Sequence, residues 1–169
     1  QDGGFPQAGC KKVCCKNAWG DAAKRRDPAS LGLIDPVSGQ RWLVECTPSF
    51  PRQARRLDAA QPKLAGRIDG ILLTHAHIGH YAGLIHLGRE VMGTAAVPVY
   101  AMPRMEKFLR TNGPWSQLVK LENIALRPIR DGRTFALGKR LRVTPMLVPH
   151  RDEFSETVGF QIEGPRQKI

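Results

Sequence analysis

The sequence has 169 residues, enough for one domain with a hydrophobic core, and no uninterrupted apolar run approaches the about 18 residues of a membrane helix. Its 41% of hydrophobic and 24% of charged residues are typical of a soluble globular protein and exclude a disordered chain. The formal net charge of +11 favours a small anionic molecule as partner. Nucleic acid is less favoured, because there is no RNA-binding signature and no row of aromatic residues, and no membrane partner is expected.

The first part of the chain predicts short strands after an irregular segment. Residues 1–30 are rich in Gly, Cys and Lys without periodicity, which predicts an irregular loop. Short apolar runs predict strands at Leu31–Ile34 and Arg41–Cys46, and a short helix with a basic face is predicted at Phe50–Leu57. The run Ile68–Thr74 is apolar without a helical period, which indicates a strand buried on both faces.

The rest of the chain predicts two helices and then mainly strands. Helical spacing is found over Tyr81–Met92, a strand is predicted at Val97–Ala101, and a helix at Pro103–Thr111 ends before Asn112-Gly113-Pro114. The last strands are predicted at Ile124–Ile129, Arg133–Leu137, Arg140–Val148 and Thr157–Glu163. This order predicts one α+β domain over residues 1–169, with sheets packed on each other and helices outside.

Three of the five histidines lie in His75-Ala76-His77-Ile78-Gly79-His80, directly after the predicted buried strand. Residues two apart on an extended loop point to the same side, so His75 and His77 can present neutral imidazoles to one Zn²⁺ or Fe²⁺ ion. Catalytic zinc sites typically use three protein ligands, and His150 at the end of a later strand is the candidate for the third. The alternative is that these histidines are buried residues of a turn, which would need several separate hydrogen-bond partners. His86 lies within a helical pattern and is expected to pack or to lie at the surface.

The segment Ile71-Leu72-Leu73-Thr74-His75-Ala76-His77-Ile78-Gly79-His80 resembles the strand and metal-binding loop of the metallo-β-lactamase superfamily, whose loop reads His-x-His-x-Asp-His. Two further segments, Gly3-Gly4-Phe5-Pro6-Gln7 and Val148-Pro149-His150-Arg151-Asp152-Glu153, are similar to the subgroup of pyrroloquinoline quinone biosynthesis B proteins. The resemblance implies a four-layer αββα sandwich. It also implies a record that is incomplete at both ends, because the family's first strand would precede residue 1 and further ligands would follow Ile169.

The resemblance implies His75, His77 and His150 as ligands of a first metal ion and His80 as a ligand of a second. The aspartate of the family's loop is Gly79 here, and glycine supplies neither a ligand nor a base. A single-metal site is therefore expected more than a two-metal hydrolytic mechanism.

Candidate catalytic residues are His80, which would line the pocket, and Asp152, which follows the third histidine. Asp152 or its neighbour Glu153 can orient a metal-binding histidine, and the alternative is an exposed loop carboxylate. Asp69 has the same two interpretations, and Thr74 is expected to form a hydrogen bond near the metal loop.

The cysteines leave three interpretations open. Cys10, Cys14 and Cys15 form a C-x3-C-C cluster that predicts a structural metal site, disulfide partners or free thiols. Cys46 follows a predicted strand and is expected to be a small buried apolar residue. Because none of these is decisive for redox environment, a periplasmic or secreted location and a cytoplasmic one are both compatible with the sequence.

Three functions follow from the metal site. The first is a hydrolase in which a metal ion, Zn²⁺ or alternatively Fe²⁺ or Mn²⁺, activates water against an ester, amide or phosphoester. The second is an Fe-dependent oxidoreductase or hydroxylase, as the resemblance to the biosynthesis B proteins implies. The third is a non-catalytic metal-binding protein, which Gly79 favours.

Overall fold

The computed structural model describes residues 3–169, so that Gln1 and Asp2, which belong to the predicted irregular segment, lie outside the described residues. Its centre is a five-stranded sheet whose neighbours follow chain order. The strands are β1 (Leu31–Ile34), β2 (Arg41–Val44), β3 (Gly70–Leu72), β4 (Val97–Ala101) and β5 (Ile124–Pro128). A short turn joins β1 to β2, which pair antiparallel, whereas helical crossovers make β2 to β5 parallel.

A three-stranded antiparallel sheet packs against the first one. Its strands are β6 (Phe135–Leu137), β7 (Leu141–Leu147) and β8 (Val158–Glu163). Each lies within a strand predicted from the sequence, which confirms the predicted run of strands. The turn between β6 and β7 places Gly138 at φ 65°, a left-handed conformation that favours glycine.

Helices pack on the other face of the five-stranded sheet. The α-helices are α1 (Val13–Gly20), α2 (Phe50–Ala60), α3 (Ile78–Tyr81), α4 (Pro103–Thr111) and α5 (Trp115–Lys120). Short 3₁₀ helices lie at Ala22–Lys24, Pro62–Leu64 and Ala82–Leu87. Buried side chains of α2 to α5 share one core with the sheet. Over residues 3–169, no helix combines the length and the apolarity needed to cross a membrane.

Two local predictions are wrong, and helix α5 was not predicted. The N-terminal segment is not irregular throughout, because α1 forms there and buries Cys15 and Ala18. The continuous helix predicted at Tyr81–Met92 is one α-turn followed by a 3₁₀ helix, and its buried residues Tyr81, Leu84 and Leu87 repeat every three positions, as a 3₁₀ helix requires. Helix α5 starts directly after Pro114, since proline ends a helix but does not prevent the next one from starting.

The two faces of β3 bury side chains in different layers, because successive residues of a strand point to opposite faces. Leu72 packs with Trp42 and Val143 between the two sheets, and Ile71 and Leu73 pack under the helices. A fully buried leucine contributes about 2 kcal/mol through the hydrophobic effect. Over residues 3–169, the structure thus has the predicted stacked sheets, with helices outside the five-stranded one, and its central strand is buried on both faces.

Candidate metal centre

The histidine-bearing loop leaves the carboxyl end of β3 and is fixed by hydrogen bonds to two other segments. The Thr74 N–H donates to the Glu45 carboxylate (2.9 Å), and the Ala76 N–H donates to Ser155 Oγ (2.8 Å). Glu45 follows β2, the parallel neighbour of β3, and Ser155 lies between β7 and β8. Because these bonds hold the backbone on both sides of His75, its side chain is fixed in a buried position, 6% exposed.

Three imidazoles meet at this edge of the sheet. Nε2 of His75 lies 2.9 Å from Nδ1 of His77, and Nε2 of His150 lies 3.2 Å from the same nitrogen. One ligand atom from each residue lies within 4.8 Å of the others. Nitrogen atoms about 2.0–2.1 Å from a tetrahedral zinc ion are about 3.3 Å apart, so this spacing fits one ion. The structure brings together the three residues that the sequence predicts as ligands of the first metal.

Hydrogen bonds from outside this group hold the outer nitrogens of His75 and His77 and so orient these two rings. Nδ1 of His75 lies 2.8 Å from Thr74 Oγ1, near the metal loop as expected for that threonine, and Nε2 of His77 lies 2.9 Å from Glu153 Oε2. With protons on these outer nitrogens, Nε2 of His75 and Nδ1 of His77 carry the lone pairs that bind a metal ion. The hydrogen bond from His77 also lowers the pKa of the Glu153 carboxyl.

His80 lies beside the three histidines. Its ring centroid is 4.2 Å from that of His75, and its Nδ1 lies 2.5 Å from Glu45 Oε2. Glu45 is buried and has φ 73°, a strained conformation for a residue other than glycine. This conformation is held because the Cys46 N–H donates to the His80 carbonyl and the Gly83 N–H donates to the Cys46 carbonyl, each at 2.8 Å.

Gly79 lies in helix α3 and supplies no ligand atom, so a second metal ion would depend on other residues. Within residues 3–169, the group of His75, His77 and His150 is the only one in which three metal-binding side chains come close enough to share an ion. A carboxylate does lie beside His80, but it comes from Glu45 at the end of β2. The geometry therefore fits a single-metal site.

The loop that carries His150 is anchored to helix α4. The Arg104 N–H donates to the Glu156 carboxylate (3.1 Å to Oε2), and Arg104 Nη2 donates to the Asp152 carbonyl (2.9 Å). The Val158 N–H donates to the carbonyl of Thr74 (3.2 Å), which ties the start of β8 to the histidine loop. These bonds position His150 although its side chain is exposed.

Asp152 has a different partner from the one expected of a catalytic residue. Its Oδ1 accepts a hydrogen bond from the Thr157 hydroxyl (2.9 Å), within its own loop. The neighbouring Glu153 is the carboxylate that contacts His77. Side chains at consecutive positions of this loop thus point in different directions, which the sequence does not reveal.

Asp69 and His86 lie away from the three histidines. Asp69 precedes β3 at the opposite end of the sheet, where Oδ2 accepts from the Arg41 N–H (2.9 Å) and Oδ1 pairs with Arg67. The His86 ring stacks on Phe50 with centroids 5.9 Å apart, which agrees with the packing role predicted for it. The two interpretations left open for Asp69 are thereby replaced by a structural role.

The four cysteines are free thiols in different environments. Cys14 is exposed and Cys15 is buried, because consecutive helical residues point about 100° apart. A hydrogen bond between Cys10 and Cys15 lowers the pKa of the Cys10 thiol and raises that of Cys15. Cys46 is fully buried as predicted, and burial raises its pKa. Residues 3–169 thus show Cys10, Cys14 and Cys15 as free thiols, and the other two interpretations, a structural metal site or a disulfide, stay untested predictions.

Glu45 is the residue of this site that the sequence predictions missed. It directly follows the apolar run Trp42-Leu43-Val44, and His75 follows the neighbouring apolar run with only Thr74 between them. Parallel strands place their carboxyl ends at one edge of a sheet, which is where ligands bind in open α/β sheets. Two polar residues that each follow a buried strand were thus a signal for one shared site.

Comparison with known proteins agrees with this geometry. Residues 33–169 match the family model of the beta-lactamase superfamily domain. The chain is 36% identical to the coenzyme PQQ synthesis protein B of Xanthomonas campestris, in an alignment that covers 99% of this chain and 60% of that protein. The chain therefore spans about three fifths of the length of the curated relatives it matches.

Two solved structures share the fold. Zinc-bound PqqB from Methylobacterium extorquens superposes with a TM-score of 0.79 at 24% identity, covering 98% of this chain and 60% of that one. A diphosphatase of the PhnP family gives a TM-score of 0.69 at 23% identity, covering 96% and 58%. These likenesses confirm the predicted metallo-β-lactamase type of α+β sandwich, of which this chain forms a part.

Proposed function

Because the chain belongs to the beta-lactamase superfamily domain family, we propose that it is a single-metal hydrolase that acts on an anionic ester, amide or phosphoester. The observation that carries this proposal is the convergence of His75, His77 and His150, whose ligand atoms lie within 4.8 Å of one another. Neutral imidazoles in a set of three suit Zn²⁺, which is the metal we propose.

Each ligand has a defined task in this proposal. His75 and His150 would bind the ion through Nε2 and His77 through Nδ1, since these are the nitrogens that face one another. A bound ion of this kind lowers the pKa of a water molecule toward neutrality and polarises a carbonyl or phosphoryl oxygen. Three protein ligands leave the fourth tetrahedral position open, as catalytic zinc requires.

The pair of His80 and Glu45 supplies a second function beside the ligands. Nδ1 of His80 lies 2.5 Å from Oε2 of Glu45, and this buried carboxylate holds the ring in place. The centroid of the His80 ring is 4.2 Å from that of His75, so His80 lines the space beside the proposed ion. We therefore assign His80 to orienting the reacting groups in the pocket.

The positive net charge of the chain supports an anionic substrate. The chain carries 26 Lys and Arg against 15 Asp and Glu, and the excess attracts anions to its surface. Exposed Arg151 directly follows His150, and alongside the hydrogen bond from His77 its charge helps to lower the pKa of the Glu153 carboxyl. The guanidinium of Arg151 would neutralise the negative charge of a phosphoester or carboxylate-bearing substrate.

The test is metal content and turnover in three proteins. The full chain, His77→Ala and the control His86→Ala are freed of metal, reloaded with Zn²⁺ and assayed on chromogenic phosphodiester, ester and β-lactam compounds. We expect about one Zn per chain with turnover in the full chain and in His86→Ala, and neither in His77→Ala. Equal turnover in metal-free His77→Ala would refute the proposal.

A second function is favoured by the relatives named coenzyme PQQ synthesis protein B, one of which is 36% identical over 99% of this chain. In that case the histidines would bind Fe²⁺ and the protein would be an oxidoreductase, although the usual iron site has two histidines and one carboxylate. Oxygen uptake that requires added Fe²⁺ and is lost in His77→Ala would favour this function. Bound metal with neither oxygen uptake nor hydrolysis would support a role in metal binding alone.

A further inference from the structure

We propose that Glu153 positions the metal site by accepting the outer proton of His77 and thereby closing the His150 loop onto the histidine loop. This inference rests on the proposed metal site. Glu153 Oε2 lies 2.9 Å from Nε2 of His77, while Nδ1 of the same ring faces the other two ligands. One side chain from the loop of the third ligand thus contacts the back of the second ligand.

Residues on both sides of Glu153 are anchored, since the carbonyl of Asp152 before it accepts a hydrogen bond from Arg104 Nη2 (2.9 Å) and the two residues after it make contacts of their own. Ser155 Oγ accepts from the Ala76 N–H at 2.8 Å, next to His77 itself. The ring of Phe154 lies against that of Phe108 in helix α4, with centroids 5.8 Å apart. Residues 154 and 155 therefore fix the place from which the Glu153 side chain reaches back to the histidine.

The neighbouring carboxylates of the same loop have other partners. Asp152 binds the Thr157 hydroxyl, and Glu156 binds the N–H of Arg104 at the start of helix α4. Among the hydrogen bonds of these three carboxylates, the contact with a ring nitrogen of His77 belongs to Glu153. Of these three carboxylates, Glu153 is therefore the one that forms a hydrogen bond with a proposed metal ligand.

The physical effect is on the ring of His77. A carboxylate that accepts from Nε2–H holds the proton on that nitrogen and leaves Nδ1 free to bind a metal. It also restricts rotation of the ring, whose side chain is 21% exposed. Without this acceptor the neutral ring would divide its proton between both nitrogens, and the tautomer that binds metal would be less populated.

The expected size of the effect is limited by solvent. The Glu153 side chain is 47% exposed, so water competes for the same hydrogen bond. Partners of metal-binding histidines typically change metal affinity by about 10–100-fold, and we expect the lower end, about tenfold, here. Glutamine has an oxygen that can accept the same hydrogen bond, so it should restore most of the affinity.

The experiment compares Glu153→Ala, Glu153→Gln and the control Glu90→Ala in the full chain. Glu90 is an exposed carboxylate that pairs with Arg89, next to it in sequence, and it is matched in charge to Glu153. The dissociation constant for Zn²⁺ is measured by competition with a chromophoric chelator. The d–d spectrum of the Co²⁺-loaded proteins reports ligand geometry, and thermal unfolding of the metal-free proteins reports folding.

We expect Glu153→Ala to bind Zn²⁺ about tenfold more weakly with an altered Co²⁺ spectrum, at an unchanged melting temperature of the metal-free protein. Glu153→Gln should stay within about threefold of the unmodified chain, and Glu90→Ala should equal it. Unchanged affinity in Glu153→Ala, a glutamine variant as weak as the alanine variant, or equal weakening in Glu90→Ala would each overturn the inference. If the unmodified chain binds no metal, the proposed function itself fails, which is a distinct outcome.

Discussion

The two ends of the five-stranded sheet both bury polar side chains, but they satisfy them in different ways. At the amino ends of β2 and β3, the buried guanidinium of Arg41 pairs with Asp58 (3.0 Å) and contacts the carbonyls of Leu57 (3.3 Å) and Arg67. At the carboxyl ends of the same strands, nitrogen atoms of three imidazoles face one another within 4.8 Å. Donors meet acceptors at the first end, whereas the second end presents three ring nitrogens to one common point.

This difference separates a structural cluster from a functional one. Opposite charges that pair within the chain satisfy one another, so removal of one partner leaves an unpaired buried charge and destabilises the fold. Three ring nitrogens that can all act as acceptors are stabilised when a cation lies between them. The amino end should therefore respond to substitution through the free energy of unfolding, and the carboxyl end through metal affinity.

The largest expected effect is on metal affinity in His150→Ala. Removal of the third ligand should weaken Zn²⁺ binding by more than about 100-fold, since one direct bond is lost. Because the His150 side chain is exposed, the free energy of unfolding of the metal-free protein should change by less than about 0.5 kcal/mol. Chelator competition and urea unfolding measure the two quantities. A large loss of stability in the metal-free variant would mean that the histidine end of the sheet also stabilises the fold, which contradicts the distinction between the two ends.

The converse substitution is Arg41→Ala at the other end. It leaves the largely buried carboxylate of Asp58 without its partner, so the free energy of unfolding should fall by about 3 kcal/mol. The folded fraction should bind Zn²⁺ as tightly as the unmodified chain, because Arg41 and the histidines lie at opposite ends of the strands. Weakened metal binding in protein shown to be folded by circular dichroism would contradict this expectation.

Gly79→Asp tests whether position 79 limits the carboxyl end of the sheet to one metal ion. It supplies the carboxylate found in the family's loop, beside the His80 and Glu45 pair, and should allow a second Zn²⁺ ion to bind at excess metal. Isothermal titration should then show a second, weaker step that the unmodified chain lacks. A titration with one step in both proteins would mean that residues other than position 79 determine the number of ions.

The smallest expected effect concerns Asp35, in the turn before β2. Burial opposes ionisation of this carboxyl, but hydrogen bonds from Ser38 Oγ (2.8 Å) and the Val37 N–H (3.0 Å), together with Arg140, lower its pKa below the ordinary 3.8. A carboxyl whose pKa is lowered by folding stabilises the protein above its ordinary pKa. That contribution is lost as the pH falls through the folded value.

Asp35→Asn should therefore make the free energy of unfolding less dependent on pH below about pH 4. Urea unfolding of both proteins at a series of pH values from about 5 downward measures this slope. Glu90→Gln, which removes an exposed carboxylate that pairs with Arg89, serves as the control variant. Identical slopes for Asp35→Asn and the unmodified chain would show that ionisation of Asp35 does not contribute to the pH dependence of the free energy of unfolding.

Much of the fold and the three metal ligands could be predicted from the sequence, because both depend on local patterns. The apolar run before His75 marks a buried strand, and ligands two residues apart must share a side. His150 could be assigned because few histidines were available and because its segment resembles a known family. The limits of β4 and α4 were predicted correctly, since proline and apolar spacing mark them clearly.

The remaining features depend on tertiary contacts that no local pattern encodes. Glu45 reaches His80 only because its backbone adopts φ 73°, which side-chain type does not predict. The choice of Glu153 over Asp152 as the partner of His77 depends on how the loop is anchored at Ser155. Such contacts join residues far apart in the chain, and only the folded structure defines them.

X-ray absorption at the zinc edge of the zinc-loaded chain shows directly whether three imidazoles bind one ion. We expect a shell of nitrogen and oxygen at about 2.0–2.1 Å with multiple scattering from about three imidazoles. A sulfur shell at about 2.3 Å would instead place the ion at the cysteines and rule out the histidine site.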